Sequence, residues 1–528
     1  MDETNDLPKF PPSWCTAILQ EVTEVNPSLP LDDIANDTQV SFLPMKSVEE
    51  ESGRFKASAV KKFIEVKKGY TPFVDGDVIF AKITPCMENG KAAVVENLIN
   101  GIGFGSTEFH VLRPANELLS PQFLFFYVIQ KSFRQEAQAK MTGSAGQKRV
   151  PTTFIQNAEI PLPPLPEQQR IVAKIEELFT KLDVGVDALK KARTQLGRYR
   201  QALLKAAVTG ELTREWREAH KGELEPATDL LARIHRERRA KWEADQLTKM
   251  EAAGKPPKNG DWKRKYQEPS APDTSELPII DGWQWVTLET VAEAIDPQPS
   301  HRTPPEVSNG VPYVGMGDVT KEKKIDLVNA RKVSADVLAE HKQRYQLKEG
   351  DFFIGKIGTI GKPVKLTPPF EYALSANIVL IQPEPTYTEE KFAFLYMASP
   401  LVEKLLTAGS RATTQAAFGI QKVRLLPYPL PSTDEQRKIV EEVERLLSIA
   451  DAMERTIEQS LNQAERLRQA ILQQAFTGKL VPQDPNDERA SRLLERIREE
   501  HARKVEAPPK QKRKNNRQKQ TAQPTFLS

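Results

Sequence analysis

The stretch PLPPLPEQQRIVAKIEELF at 161–179 returns as PLPSTDEQRKIVEEVERLL at 429–447, so that Glu167 reappears as Glu435, 268 positions later. The register then holds without a gap, since LLKAAVTGELT at 203–213 returns as ILQQAFTGKLV at 471–481. Self-similarity at a fixed period over this length means that the chain is two copies of one plan. Upstream of each copy the match is looser: DGDVIFAKI (75–83) against EGDFFIGKI (349–357), PQFLFFY (121–127) against EKFAFLY (390–396), and LPKFPPSWCTAIL (7–19) against LPIIDGWQWVTL (277–288). Each half is therefore a variable globular part followed by a better-kept segment, as expected where loops carry the function.

Periodicity identifies the better-kept segments as helices. Apolar residues fall at Ile171, Ile175, Leu178, Leu182, Leu189, Leu196, Tyr199 and Leu203, and again at Ile439, Val443, Leu446, Ala450, Ile457, Ala464, Leu467 and Ile471. Steps of three and four make a narrow coiled-coil seam. Prolines at 161, 163, 164 and 166 hold the first approach extended, Ser432, Thr433 and Asp434 are caps for the second, and the Glu-Gln pairs sit in the first turns. Gly210 and Gly478 are natural stops. Helices of about 42 residues, roughly 60 Å long, follow. Two equal helices, each behind a similar globular part, can lie antiparallel about a pseudo-twofold axis. Periodicity alone is equally satisfied by a structural coiled coil in a scaffold protein.

Shorter basic, amphipathic segments follow each helix, ATDLLARIHRERRAKWEA at 227–244 and RASRLLERIREEHARKV at 489–505, readable as docking helices with a solvated face or as DNA-contacting elements. Along the chain the expected division is a first globular domain at 1–160, a helical spacer at 161–250, a Pro- and Lys-rich linker at 251–276, a second globular domain at 277–428, a second spacer at 429–505 and a disordered basic tail at 506–528.

Bulk properties narrow the class. The 528 residues carry 28% charged side chains and a net charge of only +3, which neither demands nor excludes a polyanionic partner. Two cysteines, Cys15 and Cys86, cannot build a disulfide framework, and the longest apolar run, FLFFYVI at 123–129, is too short to span a bilayer. A soluble, cytoplasmic protein without membrane association is expected.

The order of these parts, with IPLPPLPEQQRIV (160–172) opening a long helix behind a GDVIFAK block (76–82) and a GSAGQKRV segment (143–150), resembles the specificity subunits of Type I restriction–modification systems. TGEL (209–212) and TGKL (477–480) are similar to a helix-end element that sets spacer length in that family, departing from it at the second residue and, in the second copy, also at the third. The resemblance implies two α/β (α+β) target-recognition domains in pseudo-twofold arrangement, joined by two long antiparallel coiled-coil helices. It further implies a non-catalytic chain on double-stranded DNA that docks two methyltransferase subunits, on which restriction subunits assemble. S-adenosylmethionine, ATP and Mg would be used by those partners and no cofactor bound by this chain. Because the two readers differ in sequence, the expected target is asymmetric and bipartite.

Two pairs of segments are candidates for the DNA interface. Gly76–Lys82 and Gly350–Lys356 read as a turn, a strand and an emerging lysine, the second running on through Gly358, Gly361 and Lys362. A tight sheet turn with no further role explains the same glycines. GSAGQKRV (143–150) and GSRATTQAAF (409–418) read as loops carrying Gln147, Lys148, Arg149, Arg411 and Gln415, residue types that pair with guanine or adenine edges. Lys91, Arg54, Lys56, His301 and Arg302 are weaker candidates, which read more readily as ordinary surface charges.

Signatures of catalysis are missing. Gly361-Lys362 is preceded five residues earlier by Lys356 instead of the glycine of a phosphate-binding loop, and Thr367-Pro368-Pro369-Phe370 has threonine where an amino-methyltransferase needs Asn or Asp. GIGFG at 101–105 has the wrong spacing for a dinucleotide fingerprint, and six histidines and two cysteines show no metal-ligand spacing. Three alternatives remain open at this stage: a coiled-coil scaffold, a fused methyltransferase with a divergent site, and the specificity subunit of a methylase-only complex.

Overall fold

Both long helices run for 44 residues, Leu165–Val208 and Thr433–Phe476, so their ends repeat at the same interval of 268 as the sequence. The computed structural model describes residues 10–56, 59–115, 117–144, 146–255, 257, 259–356, 361–408 and 418–506. Each helix stops the same way. Gly210 and Gly478 take φ of +74° and +71°, a left-handed turn that a side chain disfavours. Beyond them the amides of Glu211 and Lys479 donate back to the carbonyls of Ala206 and Gln474, at 3.1 and 2.9 Å.

Two compact units do not follow the linear order of the chain: one is 1–189 with 459–528, the other 190–458. Each contains the beginning of one long helix and the end of the other. In the first, Ile171, Ile175 and Phe179 share a core with Leu472, Ala475 and Phe476. In the second, Ile439, Val440 and Val443 share one with Leu203, Leu204, Ala207 and Val208. Within the second unit Arg193 pairs with Glu454 (3.9 Å) and Arg200 with Asp451 (2.7 Å), so the helices run antiparallel.

Of the expected seam, Ile171, Ile175, Leu196, Leu203, Ile439, Val443 and Ile457 are buried, and Leu178, Leu182, Leu189, Leu446 and Ile471 are half-buried. Leu467 and Tyr199 are corrections, since they are 45% and 44% exposed. Beside Leu467 the row that turns inward is Arg468, Leu472 and Phe476, at four-residue steps. Arg468 lays its guanidinium 4.3 Å from the Phe179 ring centroid and pairs with Asp183.

The globular parts share one topology. In the first unit, Cys15–Ile18 pairs antiparallel with Glu159–Leu162 and ties the start of the domain to the approach of its helix. A four-stranded antiparallel sheet has the order Thr23–Val25, Phe109–Pro114, Val78–Ala81, Ala92–Val94. A mixed sheet has the order Ala59–Lys62, Gln39–Leu43, Ile102–Gly105, Thr71–Val74, with the middle pair parallel. In the second unit the same three parts recur: Gln284–Thr287 with Pro427–Leu430; Ala292–Ile295, Ile378–Pro383, Phe352–Gly355, Pro363–Lys365; and Lys332–Val333, Val311–Val314, Ala373–Leu374, again with one parallel pair. Apolar helices Pro121–Val128 and Glu390–Met397 cover the antiparallel sheets. The expected α/β (α+β) class and duplicated plan hold.

The Glu-Gln pairs do more than begin a helix; all four side chains are buried. Glu435 accepts hydrogen bonds from Thr213 Oγ1 (2.7 Å), Arg217 (2.6 Å) and Trp283 Nε1 (2.8 Å), which joins the segment after one helix to the start of the other. Its counterpart Glu167 accepts from Trp14 Nε1 (2.9 Å) and Gln483 Nε2 (2.6 Å), and burial raises its pKa. Gln168 and Gln436 donate to the carbonyls of Pro163 and Pro431, five residues back, and so hold each extended approach in place.

The post-helix segments also fold alike. Leu230 and Ile234 of the helix Ala227–Ala252 enter the second core, and Ala490 and Leu494 of Ala490–Glu506 enter the first. Within the linker, Trp262 stacks on Trp242 and Lys263 pairs with Glu243 at 2.7 Å.

Candidate nucleic-acid interface

In the first unit the structure brings together lysine and loop segments that lie about sixty positions apart. Gly76 turns the chain with φ +88°, and Val78–Ala81 is wholly buried in the sheet. Lys82 leaves it half-buried, its carbonyl accepting from Val150 N at 2.9 Å. Thr142 and Arg149 exchange two backbone bonds, which pairs the two ends of the ribbon that carries Gln147 and Lys148, and Thr84 N donates to Lys148 O at 3.0 Å where the ribbon docks on the strand end. His110 anchors the far end. Its Nε2 donates to Val150 O at 2.9 Å and its Nδ1 faces Asn26, while burial lowers its pKa by disfavouring the charged ring.

On this ribbon Gln147 and Lys148 are exposed. Arg149 is not free, because Glu108 takes its Nε (2.9 Å) and a terminal nitrogen (2.8 Å). Lys91 lies at the mouth of the adjoining hairpin, its backbone paired with Ala81.

The second unit uses the equivalent positions differently. Gly350 repeats the turn, also at φ +88°. Lys356 does not emerge as the sequence suggested: it is 7% exposed, with Nζ 2.8 Å from Asp296 Oδ2 and 3.1 Å from Ala376 O. An anion in the right place has folded the lysine inward. Lys362 is exposed beside Gly361. Gly358, Arg411 and Gln415 lie outside the described residues.

One cluster was passed over by sequence reasoning. On the edge strand Ala59–Lys62 and the turns after it, Lys61, Lys62, Lys67 and Lys68 stand among exposed Val60, Ile64 and Tyr70. Lys61 Nζ sits 4.3 Å from the Phe42 ring centroid, and Phe42 meets Tyr70 edge to face at 4.9 Å. None of these lysines is ion-paired among the described residues. The signal was the run FKASAVKKFIEVKKGY (55–70), lysine doublets alternating with aromatic and aliphatic residues. Such a surface can attract phosphates and offers an aromatic face. The second unit has exposed Lys321, Lys323 and Lys324 before its own edge strand.

Among the described residues no group of His, Cys, Asp and Glu could hold a metal ion, and no helix is long and apolar enough to cross a membrane.

Comparison with known proteins agrees with this geometry. A family model described as the Type I restriction modification DNA specificity domain matches residues 11–188 and 280–463, once in each half. The Type I restriction enzyme EcoEI specificity subunit of Escherichia coli is 26% identical, with 89% of this chain and 83% of that protein aligned. The EcoAI specificity subunit, also from Escherichia coli, is 31% identical over 54% of this chain and 51% of its own. Among solved structures, a chain from a study of complex assembly and conformational transition of the type I R-M system superposes with a TM-score of 0.61 at 21% identity, covering 89% of this chain and 99% of that one. The HsdS subunit from Thermoanaerobacter tengcongensis gives 0.51, also at 21% identity, covering 89% and 98%.

Proposed function

The chain belongs to the Type I restriction modification DNA specificity family, and from that membership we infer that it is the sequence-reading subunit of a Type I restriction–modification complex, recognising an asymmetric, bipartite DNA site. The observation that carries this reading is the pairing of one scaffold with two different surfaces. The sheets of the two units share one order, although the mixed sheet has four strands in the first and three in the second, while the groups at the mouth of each antiparallel sheet differ. One chain then presents two unlike readers, and the two half-sites differ accordingly.

The chain itself carries out no chemistry in this reading. It directs two methyltransferase subunits, with restriction subunits joining them, and S-adenosylmethionine, ATP and Mg act in those partners. Exposed apolar side chains on the long helices support a docking role: Tyr199, Ile449 and Met453 in the second unit, Val184 and Leu467 in the first.

The deciding experiment co-expresses the full chain with its methyltransferase partner and maps modified bases in host DNA. Methylation is expected at one bipartite motif with a constant gap, and exchanging residues 277–428 for those of a relative should change one half of it only. A pair that forms no complex, or a motif that does not depend on this chain, would leave the helices as a scaffold. Salt dependence provides a second check. Replacing Lys61, Lys62, Lys67 and Lys68 by glutamine should flatten the slope of log affinity against log salt by up to about 0.9 for each phosphate that is no longer neutralised. An unchanged slope would make those lysines guards of an edge strand.

A further inference from the structure

Superposing the two halves by sequence position isolates a pair of charges that only the first half has. Glu108 immediately precedes the strand Phe109–Pro114, and Asn377 stands in the same place before Ile378–Pro383. Arg149 lies in QKRV (147–150), which aligns with QAAF (415–418), so that its counterpart is Ala417. Both members of the pair are replaced together. At the neighbouring position the exchange runs the other way. Asn26 follows the first strand of one antiparallel sheet and Asp296 the first strand of the other. Asn26 spends its side chain on His110 and Val111 N, which leaves Lys82 without an ion pair among the described residues, while Asp296 captures Lys356.

The Glu108–Arg149 contact has the geometry of a clamp. Two parallel bonds of 2.9 and 2.8 Å fix the plane of the guanidinium, and a third, from another terminal nitrogen to Gln147 O at 3.1 Å, ties it to its own ribbon. Arg149 holds the Glu108 carboxyl below the usual carboxylate range, so the pair stays ionised at neutral pH. Beyond this pair, the backbone bonds of Lys148 and Val150 to Thr84 and Lys82 and the His110 side chain on Val150 O hold the ribbon at its far end.

We infer that Glu108 and Arg149 are positioning residues of the first reader: the carboxylate fixes the guanidinium, the guanidinium fixes the ribbon, and Gln147 and Lys148 are thereby presented to one half-site in a single orientation. This rests on the reading of the chain as a DNA specificity subunit, and it predicts that Glu108 governs discrimination without touching DNA. The second reader, with Asn377 and Ala417, sets its half-site by other means.

The test uses the full chain and two readouts. In the absence of DNA, hydrogen exchange should show the amides of Thr142 and Arg149 opening about tenfold more readily in E108Q and R149A than in wild type. With the methyltransferase partner bound, E108Q should lose about tenfold in discrimination against single mismatches in one half-site and nothing in the other. Its salt slope should match wild type, and the double variant E108Q/R149A should be no worse than R149A. Unchanged exchange in E108Q overturns the clamp whatever the chain binds. Discrimination lost in R149A but kept in E108Q overturns it too, by making Arg149 a direct reader. A wild-type complex without any bipartite motif would instead refute the functional reading and leave the exchange result to judge the clamp.

Discussion

Glu435→Ala is expected to cost the second unit about 3–5 kcal/mol, because it strands a buried cation. The Arg217 side chain is only 10% exposed and has its carboxylate partner in Glu435, itself 1% exposed. Removing that carboxylate also leaves Trp283 Nε1 and Thr213 Oγ1 without their acceptor. Glu435→Gln should keep most of the loss, since shape is preserved and charge is not. The repeat supplies an internal control. Glu167 occupies the same place in the first unit, but its donors Trp14 and Gln483 are neutral and one of its oxygens has no partner among the described residues. Glu167→Ala should therefore cost only about 1–2 kcal/mol. For a unit of this size the larger change corresponds to a fall in melting temperature on the order of 10 °C. Calorimetry of the full chain measures the sizes, and hydrogen exchange around 213–217 and 283–288 localises the damage. Equal costs at the two glutamates would show that the ion pair is not the source.

A second large effect is expected at Asp351, and it depends on pH. In the first unit the equivalent Asp77 accepts Arg113 through two bonds of 2.8 and 2.9 Å. In the second, Gln382 replaces that arginine and donates one bond of 2.6 Å, so the buried Asp351 keeps one oxygen without a partner among the described residues. Burial pushes its pKa up to about 6, from an ordinary 3.8. A carboxyl whose folded pKa is raised contributes stability below the unfolded value and loses it as pH climbs through the folded one. Relative to wild type, Asp351→Asn should therefore be about neutral below pH 4 and gain stability between about pH 4 and 6. It should level off near 3 kcal/mol more stable above that. Gln382→Arg should restore the pairing seen in the first unit and abolish the pH dependence of this difference. Denaturant unfolding of the three chains across pH 4–8 checks the sign. A variant that is equally stable at every pH would show that Asp351 is already solvated or paired.

How much of this was legible in the sequence follows from the range over which each feature is encoded. The long helices were legible because their causes are local: prolines before, a cap, an apolar step of three or four, and a glycine in a left-handed turn after Val208 and Phe476. The duplication was legible because the two copies share one register. Leu467 was misassigned to the seam because a step of three fits a heptad as well as a step of four. Only packing against Phe179 decides that Arg468 turns inward. Sequence proximity likewise placed Lys82 and Lys356 in one role. The residue that separates them, Asn26 in one half and Asp296 in the other, lies about sixty positions upstream and meets the lysine only across the folded sheet.

The sequence by itself determined that the chain is two copies of one plan and how long the helix behind each globular part runs, since these are matters of order and periodicity along the chain. Tertiary structure alone decided which charges remain available. Lys356 and Arg149 are engaged by Asp296 and Glu108, whereas Gln147 and Lys148 stand exposed. It also decided that each unit is closed by the end of the other half's helix, with Glu167 and Glu435 buried at the two junctions. The physical reason is that an ion pair or a buried carboxylate depends on groups that are neighbours only after folding, and no local pattern records who those neighbours will be.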